Sequence, residues 1–248
     1  MKDKIRKILT DLEDEHDIEI LYACESGSRA WGFSNYQSDY DIRFIYRYRD
    51  LKKYISLMPS SDVIEYMDNP FDIVGWDIKK TLILHYKSNP SLREWLMSGE
   101  VYVEDRMDIF HDLGDFDIST LKHHYRSMAL MNYRKYISDT FKNWGDLHTK
   151  KLLYIIRCIL SWKLLDDNIY PPINIIQLLN CCEVEISIRC DILRLISHFK
   201  TGSDIPDLNR LMGWIKDSLN KIENDKSKKI KNKDFNLYDE RFRELLGL

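Results

Sequence analysis

The chain has 248 residues, and 44% of them are hydrophobic, enough to bury a sizeable core in one large domain or two small ones. Its 37 basic and 40 acidic side chains leave a formal net charge of −3. That excludes a polyanion-coating protein and confines any nucleic-acid contact to a local patch. With 9 Gly, 6 Pro and 12% aromatic residues, the composition is not disordered, collagenous or low-complexity.

No window approaches about 18 consecutive apolar residues, so no membrane-spanning helix and no membrane partner are predicted. The charged, amphipathic start lacks the apolar core of a signal peptide. The five cysteines are Cys24, Cys158, Cys181, Cys182 and Cys190. An odd number without a C-x-x-C pair implies neither a disulfide framework nor a zinc site, and it suits a reducing, cytoplasmic setting.

Along the chain, residues 1–17 place Ile5, Ile8, Leu9 and Leu12 on one helical face. Ile18 to Cys24 reads as a mostly buried strand, followed by a sharp turn at Glu25-Ser26-Gly27-Ser28. A short helix is expected over 29–36, a second strand over 39–48 and another short helix over 50–57. Val63 to Met67 and Phe71 to Ile78 form a strand pair joined at Asp68-Asn69-Pro70. From there the period is helical, over 78–88, 91–98, 118–142, 148–166, 173–180, 184–200, 206–223 and 236–246. Ser88-Asn89-Pro90 separates the first two helices, and Pro171-Pro172 opens a later one. The basic run 226–233 reads as an exposed loop. This order predicts an α+β fold: a small mixed sheet with helices on one side over residues 1–110, then an all-helical domain over 111–248.

One stretch carries the chemistry: Gly27-Ser28, then Ser38-Asp39-Tyr40-Asp41-Ile42-Arg43. Acids at i and i+2 on a strand face the same way and repel each other. A divalent cation relieves that repulsion, and hard carboxylate oxygens suit Mg²⁺ or Mn²⁺ completed by substrate phosphates and water. A Gly-Ser turn can set backbone N–H groups and a hydroxyl against a phosphate. A lone D-x-D is common and usually marks a solvated strand end, so it is the combination that predicts phosphoryl or nucleotidyl transfer with two metals. Arg29 and Arg43 flank the acids, able either to bind phosphate or to neutralise Asp39 and Asp41. Lys150, Tyr154 and Arg157 share one helix face, which could close over a nucleotide or form a surface stripe beside Leu152, Ile155 and Ile156. Adjacent histidines such as His123-His124 diverge by about 100° on a helix, a poor geometry for one metal, and His148 stands apart. Trp31 and Trp76 are candidates for base stacking or for packing.

Tyr22 to Phe33 together with Ser38 to Tyr46 resembles the polymerase-β-like nucleotidyltransferase superfamily, whose motif is a Gly-Ser turn, a D-x-D and a third acid on a later strand. More narrowly it is similar to the YcgL/RlaP family, some members of which are associated with RNA ligases and proposed to act in RNA repair. Gly75 to Lys80, Lys87-Ser88-Asn89-Pro90, Glu94-Trp95-Leu96, His124 to Ala129 and Pro171-Pro172 extend the resemblance over roughly residues 20–175. It implies that Asp39 and Asp41 hold metal, that Gly27 and Ser28 grip the triphosphate and that Lys87 contacts phosphate. Asp72 and Asp77, five apart, face opposite sides of a regular strand, so only one can join the pair. Asp77, between Trp76 and Ile78, sits in the hydrophobic-acid-hydrophobic setting the superfamily uses and is the predicted third catalytic and metal-binding acid. A bulge at Gly75 would substitute Asp72, and a helix N-cap is the alternative role for Asp77.

The expected activity is transfer of a nucleoside monophosphate from an NTP, ATP among them, to an RNA end, with pyrophosphate leaving. The alternatives are nucleotidylation of a protein or small molecule and a non-catalytic RNA-binding module. Retention of Gly27, Ser28, Asp39 and Asp41 argues against the last.

Overall fold

The computed structural model describes residues 1–137, 146–225 and 233–248. Two compact units divide the chain, and neither is continuous. The first begins with α1 (Lys2–His16), whose buried Ile5, Leu9 and Leu12 recur at helical spacing. Asp17, left-handed at φ 53, ends the helix by donating its N–H to Glu13 O. There follow β1 (Ile18–Glu25), α2 (Gly27–Ala30), β2 (Tyr40–Tyr48), a 3₁₀ turn (Leu51–Tyr54), β3 (Val63–Asp68), β4 (Phe71–Asp77), α3 (Ile78–Tyr86), α4 (Pro90–Leu96) and β5 (Val101–Val103). Asn89 caps α4 by accepting from Leu92 N at 3.0 Å, and Pro90 fills the first helical position, where its missing N–H costs nothing.

The five strands form one mixed sheet in the order β3-β4-β2-β1-β5. Only β2 and β4 run parallel; the other pairs are antiparallel. On one face Ile42, Phe44, Tyr46, Phe71 and Ile73 pack with Ile5, Leu9 and Leu12 of α1. Helices were expected on one side only, but the other face also carries apolar residues and is covered too. There Trp76 stacks on Trp95 of α4 at 3.7 Å, and Tyr22 OH donates to Trp95 O at 2.8 Å.

The second unit joins Trp31–Ser38 to the described residues between Asp117 and Asp225. It holds α5 (Ile118–Tyr136), α6 (Asp146–Asp166), α7 (Ile175–Cys181), α8 (Ile186–Thr201) and α9 (Leu208–Glu223). Helix α6 is its centre, with Leu152, Leu153, Ile155, Ile156, Ile159 and Leu160 all buried. Lys122 bridges Asp166 at 2.5 Å and Asp225 at 3.0 Å. Fully buried Asp191 on α8 accepts two bonds from Arg210 on α9, at 2.7 and 2.8 Å, so its charge is paired where it is desolvated.

Helix α10 (Phe235–Leu246) returns to the first unit. Tyr238 OH meets His85 Nδ1 at 2.8 Å, Arg47 Nη1 donates to Leu245 O at 2.5 Å, and Arg241 donates to Ile109 O, Met107 O and Asp108 O. Burial, with Lys233 nearby, lowers the His85 pKa to about 3.

The fold is the α+β architecture expected, a small mixed sheet plus a helical part; the first unit runs on to Phe116, and two further segments depart from the 1–110 and 111–248 division. One is α10. The other is Trp31–Ser38, where the expected 29–36 helix stops after Ala30. Gly32 there has φ +86 and backs onto the Asn174 side chain, and Ile175 N donates to Trp31 O at 2.9 Å, so the segment is held as a loop. The basic run lies outside the described residues except for Lys233, whose Nζ donates to Tyr238 OH at 3.1 Å and His85 O at 3.3 Å. All five cysteines are free thiols, and among the described residues no helix is long and apolar enough to cross a membrane.

Candidate active site

The Gly-Ser turn and the acids meet at the start of β2. Gly27, left-handed at φ +58, leaves β1 and begins α2. A Cβ built on it would lie 1.9 Å from Asp41 Oδ2, so its Cα is pressed against that carboxylate and only glycine fits. The Asp41 backbone is held as closely: Ser26 N donates to Asp41 O at 2.7 Å, and Asp41 N donates to Glu25 Oε1 at 3.1 Å. Ser28 is buried beside this turn.

Parallel pairing of β2 and β4 puts Asp72 level with Asp41. Registered neighbours face the same side of a sheet, so the two carboxylates share a face. Arg43, two residues on and on that face, forks between them: Nη2 reaches Asp41 Oδ1 at 3.1 Å and Nη1 reaches Asp72 Oδ1 at 2.9 Å. The guanidinium also donates to Asp72 O at 2.7 Å and Ile42 O at 2.9 Å. Of the two roles open to Arg43, this contact is charge neutralisation. Asp39 is exposed just before β2, with its carbonyl accepting from Arg29 Nε at 3.0 Å. Arg29 lies 3.8 Å over the Tyr40 ring, and Tyr40 packs toward the α1 face rather than the Asp41 face.

Asp77 does not join these acids. It is level with Tyr46, five residues beyond the Asp41–Asp72 pair, a rise of roughly 16 Å along the strand at about 3.3 Å per residue. The β2–β4 register runs unbroken through Gly75, so no bulge intervenes. The Asp77 carboxylate caps α3, accepting from Lys79 N at 2.8 Å and from Tyr54 OH at 2.7 Å. Burial raises its pKa, against the pull of those donors. Asp72, rather than the predicted Asp77, is therefore the acid of β4 that stands level with Asp41.

The predicted nucleotide-binding residues of the helical half are placed differently from one another. Arg157 is 1% exposed, 4.2 Å from the Trp31 ring, and its Nε donates to Ile173 O at 3.2 Å. In the second unit its guanidinium is thus packed between Trp31 and the Ile173 carbonyl. Tyr154 is half-buried against Trp31 at 5.4 Å, and Lys150 is exposed. Lys87 is exposed at the C-terminal end of α3. Trp31 and Trp76 are both engaged in aromatic packing.

A carboxylate not anticipated from sequence lies behind the turn. Glu25, buried at the end of β1, accepts from Tyr102 OH at 2.5 Å as well as from Asp41 N. Burial pushes its pKa up to about 7, opposed by the Tyr102 bond and the Arg29 charge. It lines a cavity of about 470 Å³ with Lys2, Arg29, Tyr40, Glu100 and Tyr102. Read alone, Glu25-Ser26-Gly27-Ser28 signals only a turn; an acid ending a buried strand was the available hint.

Among the described residues no three acid, histidine or cysteine side chains converge to enclose an ion unaided. The oxygen donors at the start of β2 and β4 nonetheless fit a divalent cation in their chemistry, because Mg²⁺ commonly takes one or two carboxylates and completes its shell with water and phosphate.

A strand pair thus presents the Asp41 and Asp72 carboxylates beside the Gly27-Ser28 turn. Residues 1–244 match the family described as RlaP, RNA repair pathway DNA polymerase beta family, and the chain belongs to that family. It is 34% identical over 212 residues to the uncharacterized protein YcgL of Bacillus subtilis (strain 168), covering 83% of this chain and 79% of that protein. A solved structure, the nucleotidyltransferase-like protein from Exiguobacterium sibiricum 255-15, aligns over 90% of this chain and 74% of its own, with 13% identity and a TM-score of 0.33.

Proposed function

We propose that the protein transfers a nucleoside monophosphate from an NTP to the end of an RNA, in a divalent-metal-dependent reaction. The observation that carries this reading is the Gly27–Asp41 contact with Asp72 level on the neighbouring strand. The Gly27-Ser28 turn, two carboxylates and the Arg43 fork meet at one strand end. The family's RNA-repair description supports RNA as the acceptor.

Gly27 and Ser28 offer backbone N–H groups and a hydroxyl to the triphosphate. Asp39, Asp41 and Asp72 would hold Mg²⁺ or Mn²⁺, which when bound neutralises developing phosphate charge and orients the reacting oxygens. Asp72 would accept the proton of the attacking hydroxyl. The hydroxyl oxygen forms the new bond to the α-phosphorus, the bond from that phosphorus to the β-phosphate oxygen breaks, and pyrophosphate leaves with the electron pair. Arg43, which bridges Asp41 and Asp72 here, would be available to phosphate were a cation to take over the neutralisation of those carboxylates. Exposed Lys87 is a further phosphate contact in this reading. Free thiols and the absence of an apolar spanning helix among the described residues accord with work in the cytoplasm.

The test is incubation with each α-labelled NTP, Mg²⁺ or Mn²⁺, and a mixture of broken RNA, tRNA and protein. Label should enter RNA and should vanish with Asp41→Asn. Label entering protein alone would replace the acceptor with a side chain, and no labelling under any condition would refute nucleotidyl transfer.

A further inference from the structure

We propose that Glu25 is a positioning residue for Asp41, an assignment that rests on the metal-dependent reading above. Strand β1 ends at Glu25, level with Ile42, and the chain then turns away at Gly27. Beyond β1 the main chain contributes a donor to this residue, Ser26 N to Asp41 O at 2.7 Å, and the Asp41 N–H turns to a side chain. Glu25 Oε1 takes it at 3.1 Å. The three residues Glu25 to Gly27 thus grip Asp41 at three points: its N–H through the Glu25 carboxylate, its carbonyl through Ser26 N, and its side chain through the Gly27 Cα.

Glu25 is itself held. Its Oε2 accepts from Tyr102 OH, and its main chain is fixed on both sides, Glu25 N donating to Glu100 O at 2.9 Å and Ser98 Oγ donating to Glu25 O at 2.6 Å. A buried carboxylate is costly unless such partners oppose the desolvation. Two of its lone pairs are spent on orienting donors, one of them the amide of a metal-binding residue. Outer partners of this kind aim a ligand before the ion arrives, and losing one typically costs about 10–100-fold in metal affinity or activity. A strand-end cap with no bearing on the site would instead change stability alone.

The experiment compares full-length wild type, Glu25→Gln, Glu25→Ala, Asp41→Asn and Ile73→Val. Gln keeps a carbonyl acceptor for the Asp41 N–H and an amide group for the Tyr102 oxygen, whereas Ala keeps neither. Ile73→Val supplies a core-destabilised control away from the acids. Three readouts are taken below the melting point of every variant: hydrogen exchange of the Asp41 amide in EDTA, Mn²⁺ affinity by calorimetry, and kcat and KM for NTP transfer. Glu25→Ala should lose protection at the Asp41 amide, weaken Mn²⁺ binding and lower kcat by at least about tenfold, with the NTP KM little changed. Glu25→Gln should stay within about threefold of wild type, and Ile73→Val should keep both metal affinity and kcat. If Glu25→Ala binds Mn²⁺ and turns over like wild type, or if Glu25→Gln fails as badly as Glu25→Ala, the positioning role is refuted. If wild type binds Mn²⁺ no better than Asp41→Asn, the metal reading falls and takes this role with it, an outcome the Asp41 amide exchange data keep distinct from a failure of Glu25 alone.

Discussion

Replacing Gly27 with alanine tests the site at its tightest contact. Two costs are separable in the structure. The first is conformational: φ +58 is left-handed, and a non-glycine residue there loses about 1–2 kcal/mol. The second is steric: the new Cβ would stand 1.9 Å from Asp41 Oδ2 and 2.5 Å from its Cγ, roughly 1.5 Å inside an ordinary contact. Asp41 cannot yield easily, because its amide and carbonyl are both bonded to the segment that carries Gly27. Gly114→Ala isolates the first cost, since Gly114 has φ +66 in the same unit and open space around its Cβ position. Urea denaturation in EDTA should show Gly114→Ala down by about 1 kcal/mol and Gly27→Ala down by clearly more. Misplacing a reacting group by about 1 Å can cost about 10²-fold, so Gly27→Ala should lose at least that factor in transfer while Gly114→Ala keeps full activity. Equal stability loss and full transfer in both variants would refute the claim that Gly27 seats Asp41.

Asp72→Asn should reduce transfer by about 10²–10³-fold and leave folding intact, the scale of deleting one preorganised charged group. Asp77→Ala should lower stability by about 1–2 kcal/mol through the lost α3 cap yet keep transfer within a few-fold, and the reverse pattern would restore Asp77 as the third acid. His85 stays neutral in the fold down to pH about 3, while in the unfolded chain it takes a proton near the ordinary 6.5. Its contribution to stability is thus complete above pH 6.5 and drains away as the pH falls toward 3. Between pH 7 and 5 wild type should lose about 2 kcal/mol more than His85→Asn in urea melts, and parallel profiles would contradict this. Arg43→Ala leaves Asp41 and Asp72 side by side without their shared cation, so its melting temperature in EDTA should drop and added Mg²⁺ should raise it further than in wild type.

Much of this site can be read from the sequence because its parts are local. Gly27, Ser28 and Asp41 lie within fifteen positions, the first two opening α2 just after β1 and the third in the adjacent β2, and strand alternation fixes which way Asp41 and Arg43 face. Asp72 was harder. The turn at residues 68–70 announces an antiparallel β3–β4 hairpin, but not which of its strands lies beside β2. Inserting β4 there makes it parallel to β2, so the start of one abuts the start of the other, and the acid level with Asp41 is the early one, Asp72. The stripe of Lys150, Tyr154 and Arg157 was legible as a helix face. What was not legible is that Trp31 and the Ile173 carbonyl, distant in sequence, would bury Arg157. For the same reason hydrophobic periodicity found α10 without revealing that it covers the sheet unit.

The return of α10 to the sheet has a consequence for how the protein is made. Arg241 fastens the 107–109 loop, Tyr238 closes over His85, and the Leu245 carbonyl takes the Arg47 guanidinium. None of these bonds can form until the helical half has been translated and residues 235–246 have emerged from the ribosome. Domains commonly fold from the N-terminus as they emerge. Here the first unit to appear would be the last to be completed, and the helical unit can settle while the sheet still awaits its final helix.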